Sequence, residues 1–219
     1  HVLGCAVKAQ ATVSFIGLKQ GMFTGQGRDY CGVISFDDLA VPSAIYQTIR
    51  PTSRRLRCGD MKPLLKPRSR TVHKGANGAR VGAGLVSLAT RRNHASMIAA
   101  ARPELMCYGV EDVIDLSSRL ECATVVAIGP GLGQSSWAQC LFDAAVACPL
   151  PLVMDADGLN LLANNPEFHD NWILTPHPGE ASRLLQISTQ EVESDRFNAA
   201  RCLQKQYGGV VFLYQYCFI

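Results

Sequence analysis

Ala123-Thr-Val-Val-Ala-Ile128 runs straight into Gly129-Pro-Gly-Leu-Gly133, and the rest of the chain is read outward from this junction. An uncharged, β-branched run of this kind predicts a strand buried on both faces, as strands of a parallel sheet are. The glycines then turn the chain. Ser135 or Ser136 can cap a following helix whose apolar positions Trp137, Leu141, Ala144, Ala145 and Cys148 fall on one stripe, until Pro149 and Pro151 end it. The same phrase recurs downstream. Leu152-Val-Met154 leads to Asp155-Ala-Asp-Gly158 and a short helix over 159–163, stopped by Asn165-Pro166. Trp172-Ile-Leu-Thr175 leads to Pro176-His-Pro-Gly179 and a helix from Glu180 to Gln186. Ser188 and Glu191 have capping-box spacing before a longer helix carrying Val192, Phe197, Ala200 and Leu203. Gly208-Gly209 ends that helix, and Val210-Val-Phe-Leu213 is the next strand. Upstream, 84–89 reads as a strand and His94 to Ala101 as a helix. Strands alternating with helices at this spacing predict an α/β fold with a mostly parallel central sheet.

Composition sets the bounds. The chain's 219 residues hold one complete domain, or one domain plus a piece of another. With 47% hydrophobic and 18% charged residues they are globular rather than disordered. No apolar run approaches the ~20 residues of a membrane-spanning helix, so no membrane partner is expected. The formal charge of +3 is uneven, because Gln47 to Thr71 carries eight Lys/Arg and one acid and the remainder is acidic. A basic face spread over a fold is missing, which argues against nucleic acid. That basic stretch, from Tyr46 to Thr71, has no period of 2 or 3.6 and reads either as a solvated linker or as out-of-frame translation. Nine cysteines without Cys-x-x-Cys or zinc-finger spacing predict reduced thiols, no metal site and a cytoplasmic setting. The chain starts at His1 with neither an initiator Met nor a signal-peptide layout, so a fragment of a longer protein is expected.

Three loops could carry chemistry. Gly129 to Gly133, between a strand and a helix, has the geometry of a phosphate cradle, or of a tight turn that needs positive φ. Asp155 and Asp157 follow a strand end, where parallel α/β sheets open their ligand crevice; helix capping by Asp157 is the structural alternative. In Thr175-Pro-His-Pro-Gly-Glu180, burial or capping accounts for Glu180, whereas His177, held between prolines, has no apolar face to belong to. Loops from three consecutive strands open on one sheet edge, and their convergence argues for a nucleotide or phosphate ligand.

Those residues carry a resemblance. Ala127-Ile-Gly-Pro-Gly-Leu-Gly-Gln134, Met154-Asp-Ala-Asp-Gly-Leu-Asn160 and Ile173-Leu-Thr-Pro-His-Pro-Gly-Glu-Ala-Ser-Arg-Leu184, in this order, closely resemble the ADP-dependent NAD(P)H-hydrate dehydratases of the ribokinase-like superfamily. Val72-His-Lys-Gly75, Gly82-Ala-Gly-Leu-Val86 and Ala101-Arg-Pro-Glu-Leu-Met106 are similar to it too, so the likeness covers about 72–213. It implies a three-layer sandwich, incomplete here. It also implies repair of damaged cofactor: water added across C5–C6 of the nicotinamide ring is removed, ADP phosphorylating the S-form hydroxyl so that phosphate departs and AMP remains. Hydrated NADH or NADPH is then the substrate, ADP the phosphoryl donor and Mg2+ its companion. By position in the matching motifs, Gly131, Gly133 and the loop His177, Pro178, Gly179, Glu180, Ala181, Ser182 and Arg183 would contact the hydrated cofactor. Asp155, Asp157 and Asn160 would line the cleft.

Further upstream, Ala11-Thr-Val-Ser-Phe-Ile-Gly-Leu-Lys-Gln-Gly-Met-Phe-Thr-Gly25 with Gly27-Arg-Asp29 looks like the end of an NAD(P)H-hydrate epimerase domain. The expected organisation is therefore 1–45 as the end of an epimerase domain, 46–71 as a linker and 72–219 as a partial dehydratase domain; homo-oligomerisation is left open. The family's Lys-Gly nucleotide turn and Gly-Thr-Gly-Asp helix start have no counterpart, since the strand at Val210 runs on to Tyr214-Gln-Tyr-Cys-Phe-Ile219. The first strand and helix are cut to Ala76-Asn-Gly-Ala-Arg-Val81. A truncated or frame-disrupted dehydratase with negligible turnover is the resulting expectation, and its catalytic residue is unassigned. The alternatives are a noncatalytic nucleotide-binding remnant and a ribokinase-like small-molecule kinase.

Overall fold

The computed structural model describes residues 5–49, 51–64, 85–103 and 105–214. The segments 72–75, 76–81 and 82–84 of the family likeness, Glu104 and the 215–219 end lie outside these residues. The chain divides into two compact units, residues 1–68 and 69–219.

In the first unit, β1 (Ala11–Phe15) pairs in parallel with β2 (Val33–Asp37), Ala11 opposite Val33 and Phe15 opposite Asp37. The crossover holds a 3-10 turn at Gln20–Met22 and α1 (Gly27–Cys31). Two short helices follow, α2 (Ser43–Thr48) and α3 (Cys58–Met61), the latter running into a 3-10 turn at Lys62–Leu64. Ser14 is the sole buried residue among those described in this unit, whereas Val33 is 70% exposed and Phe36 51%. A two-stranded sheet that buries no apolar side chain has no core of its own.

The second unit contains β3 (Ser87–Thr90), α4 (Arg92–Ala101), β4 (Met106–Gly109), α5 (Val113–Leu120), β5 (Val126–Ile128), α6 (Ser136–Val146) and β6 (Leu152–Met154). It continues through α7 (Ala156–Asn164), β7 (Trp172–Leu174), α8 (Pro178–Leu185), α9 (Thr189–Ser194), α10 (Arg196–Tyr207) and β8 (Val210–Val211). All pairings are parallel: β3 with β4, and β5-β6-β7-β8 side by side in chain order, with Ile128, Met154, Leu174 and Val211 in register. Ladder bonding to the last strand outlasts its regular geometry, Phe212 N donating to Leu174 O and Tyr214 N to Pro176 O. The main core joins Phe142 and Val146 of α6, Leu152 and Met154 of β6, Leu159 and Leu162 of α7, and Trp172 and Leu174 of β7 with Leu184, Leu203 and Tyr207.

Several details differ from expectation, each for a local reason. The run at 123–128 is a strand only from Val126, and it is not buried on both faces: Ala127 is exposed, while Val126 and Ile128 are half-buried. The buried side of α6 is wider than one stripe. Leu141 joins Val110 and Leu116 in a second cluster flanked by Trp137 and Ala144, while Ala138, Phe142 and Val146 face the main core, so the helix is wedged between two apolar surfaces. The helix expected after Ser188 is two helices. Asp195 breaks it and caps the second by accepting from Asn198 N, which puts Val192, Ala199, Leu203 and Tyr207 inside in place of Phe197 and Ala200.

Among the described residues β5 pairs on one side only, and an apolar, uncharged, unpaired strand edge is a template for pairing with another chain. Ala127→Lys, at an exposed position of β5, is therefore expected to lower self-association in light scattering without shifting the unfolding midpoint. Tyr207 gives a pH expectation. Its hydroxyl, buried, donates to Leu184 O at 2.9 Å, and burial raises its pKa above 10. The unfolded chain thus loses this proton first as pH climbs past its ordinary value, and stability falls there. Tyr207→Phe should flatten that alkaline loss in denaturant titrations while lowering stability at neutral pH by about 1 kcal/mol.

Candidate functional site

The carboxyl ends of β5, β6 and β7 lie side by side, so the three loops that leave them meet at one sheet edge. Gly129 to Leu132 is a turn closed by Leu132 N donating to Gly129 O at 3.0 Å, with Pro130 and Gly131 at its centre and Gly131 at φ +71°. A Pro-Gly pair with positive φ on the glycine is what a type II turn requires. Gly131 and Gly133 are exposed, and a Cβ on either would meet nothing within 4 Å.

At the end of β6 the chain turns sharply, with Ala156 at φ +46°. Asp155, not Asp157, is the helix cap: its Oδ1 accepts from Ala156 N at 2.9 Å. Asp157 reaches across to the neighbouring loop, where its Oδ2 accepts the Gly133 N–H at 2.9 Å. The amide that a phosphate cradle would use at Gly133 is therefore already held by a carboxylate. One turn further along α7, Asn160 Oδ1 accepts from Arg183 Nη1 at 2.9 Å, which ties α7 to α8.

The loop after β7 starts with Thr175, whose N–H and hydroxyl both donate to Met154 O, at 3.0 and 3.1 Å. His177 then caps α8. Its Nδ1 accepts from Gly179 N at 2.9 Å, Glu180 Oε2 accepts from His177 N at 2.9 Å, and Glu180 Oε1 lies 3.2 Å from Nε2. Nδ1 is thus occupied as an acceptor, and Nε2 stands at ion-pair distance from the Glu180 carboxylate. His177 is therefore the helix cap, the role the sequence suggested for its neighbour. Glu180 is 6% exposed and is a full member of this box. Gly179 is forced by the same contact, since a Cβ would sit 2.8 Å from His177 Cε1.

The other expected contacts sort by burial. Pro178 is buried and Ala181 lies in the core, so both pack α8 onto the sheet. Ser182 Oγ donates back to Gly179 O at 2.9 Å, while Arg183 is exposed. One cation was missed. Arg91, directly after β3, places its guanidinium 4.3 Å from the centre of the Trp137 ring and donates to Ser135 Oγ at 3.2 Å, at the cap of α6. The signal was available, because a charged residue at the carboxyl end of a parallel strand obeys the same placement rule as the three loops.

A concavity of about 750 Å³ lies elsewhere: Cys148, Asn164, Glu167 and His169 line it at the opposite strand ends. Strand-end geometry, not volume, locates the mouth. Among the described residues no three His, Cys, Asp or Glu side chains are grouped to hold a metal ion, seven cysteines are free thiols, and no helix is long and apolar enough to cross a membrane.

Comparison with known proteins fits this layout. The NAD(P)H-hydrate dehydratase family model matches residues 74–216. The bifunctional NAD(P)H-hydrate repair enzyme of Coxiella burnetii is 45% identical over 97% of this chain and 48% of its own, and that of Escherichia coli is 39% identical over 96% and 45%. The chain thus spans about half the length of the curated relatives it matches. Among solved structures, a ribokinase-like protein from Enterococcus faecalis superposes with a TM-score of 0.55 at 26% identity, covering 61% of this chain and 48% of that one. The ADP/ATP-dependent NAD(P)H-hydrate dehydratase of Bacillus subtilis, co-crystallised with ATP and Mg2+, gives a TM-score of 0.50 at 26% identity, covering 65% and 53%. From its α/β fold of parallel strands, its matched motifs and these relatives, the chain belongs to the NAD(P)H-hydrate dehydratase family.

Proposed function

We propose that the second unit binds the S form of hydrated NADH or NADPH at the mouth formed by Gly131, His177 and Arg183, as part of ADP-dependent dehydration that yields NAD(P)H, AMP and phosphate. The observation that carries this reading is the cross-tying of three adjacent strand-end loops: Asp157 to Gly133, Thr175 to Met154 and Arg183 to Asn160. A reacting ring needs this fixed geometry more than it needs a deep pocket. Hydroxide leaves poorly. Transfer of the β-phosphoryl group of ADP to the ring hydroxyl turns it into a phosphate ester, and loss of that phosphate together with a ring proton restores the double bond. Mg2+ of this kind is ordinarily held by one or two carboxylates plus the nucleotide's own phosphates. No protein cage is assigned to it.

Residues 1–45 are read as the end of an epimerase domain, in keeping with relatives named bifunctional that align across both units and with a first unit that buries little of its own. Free thiols accord with a cytoplasmic setting, and homo-oligomerisation is compatible with the exposed edge of β5. NADPH binding and turnover of hydrated NADPH are the two halves of this reading. Thermal shift with NADPH and ADP, beside an assay that follows recovery of 340 nm absorbance from hydrated NADPH, tests both halves. A rise in melting temperature with NADPH supports the reading; none at saturating ligand removes it. Measurable turnover would support the dehydration half of the reading.

A further inference from the structure

Asp157 is placed to act on the loop it does not belong to. Its backbone is in the first turn of α7, yet its Oδ2 accepts the Gly133 N–H 24 residues earlier in sequence, at 2.9 Å. Gly133 and Gly131 hold φ values of +76° and +71°, and neither would have a neighbour within 4 Å of a Cβ. Neither glycine can be held by packing of a side chain, and in this stretch Leu132, half-buried, is the residue that packs against the main core. Beyond that contact, the backbone is held by the turn bond from Leu132 N to Gly129 O and, at Gly133, by the carboxylate of Asp157. A hydrogen bond to a charged acceptor is among the stronger single contacts available at a surface. The same helix face bears Asn160, one turn on, which fixes Arg183 on the other side of the mouth.

We propose that Asp157 is a positioning residue: by holding the Gly133 amide, it fixes the Gly129–Gly133 loop in one conformation and so presents Gly131 to the ligand beside His177. This rests on the dinucleotide reading for the identity of the ligand, but not for the ordering of the loop. Helix capping is not its role, since Asp155 performs that.

The test uses the full 219-residue chain and three variants of one position: wild type, Asp157→Ala, and Asp157→Asn, which keeps an acceptor oxygen. Amide hydrogen exchange at Gly131 and Gly133 is read by NMR, together with the dissociation constant for NADPH and the melting temperature. In Asp157→Ala, exchange at Gly133 should quicken and NADPH affinity fall, each by about tenfold, the loss of one charge-assisted bond. Asp157→Asn should recover both to within about threefold, and melting temperatures should stay within about 3 °C of each other, because no core contact changes. Unchanged exchange and affinity in Asp157→Ala, or an Asp157→Asn variant as impaired as Asp157→Ala, would overturn the proposal. If wild type protects Gly133 through Asp157 but does not bind NADPH, the ordering role is upheld and the dinucleotide reading is the one that falls.

Discussion

Gly129→Ala is expected to yield a chain whose second unit does not reach its native fold. Gly129 is buried and has φ +130°, a region effectively closed to residues with a side chain. Space is as restrictive as conformation. A Cβ would run into the carbonyl oxygen of Asp155, and would lie 2.7 Å from that residue's carbonyl carbon and 2.9 Å from Gly158 N. These are backbone atoms pinned by the sheet: Asp155 N donates to Ile128 O, and Gly158 N to Asp155 O. Relief would require β5 and β6 to separate. Strain and overlap together exceed about 4 kcal/mol, a large share of the stability of a typical domain. Circular dichroism should show helix loss, and the protein should collect in the insoluble fraction. Gly131→Ala is the control, since its Cβ has room. It should cost only the φ term, about 1–2 kcal/mol, and fold.

Glu180→Ala should come next in size. The carboxylate is 6% exposed, accepts the backbone N–H of His177 at 2.9 Å and lies 3.2 Å from the ring Nε2. Truncation leaves both without it in a half-buried setting and removes the acid that faces the first turn of α8, a loss of about 2–4 kcal/mol. Urea unfolding should show it as a lowered midpoint with unchanged slope. The ring also loses its anchor, so the NADPH-induced rise in melting temperature should vanish well before the fold does. Glu180→Gln separates the two effects. Its amide oxygen can still accept from the backbone, but the charge beside the ring Nε2 is lost, so the helix should be largely preserved and ligand binding should remain impaired.

Much of this was legible because short-range rules dominate where strands meet loops. Alternation of β-branched runs with capped helices placed β5 to β8 correctly, and the Ser188–Glu191 box appeared where its spacing put it, with Ser188 hydrogen bonds lowering the Glu191 pKa. The convergence of Gly131, Asp155 and His177 followed from parallel register alone. What could not be read was anything decided between distant segments. That Asp157 bonds Gly133 and not its own helix depends on how far β5 and β6 are staggered, which no local pattern encodes. The break at Asp195 was hidden by an apolar period that runs through it. The exposure of Ala127 in β5 was hidden too, since an uncharged strand looks the same whichever of its faces is covered.

His177, Gly179 and Glu180 interlock so closely that none of them is free to vary alone. A bulkier residue at 179 collides with the imidazole, a different residue at 177 strands the acid, and loss of the acid unpins the imidazole. Mutational drift should therefore treat the three as a single inherited block, kept or discarded together, and a library randomising them jointly should return functional clones mostly in the parental combination.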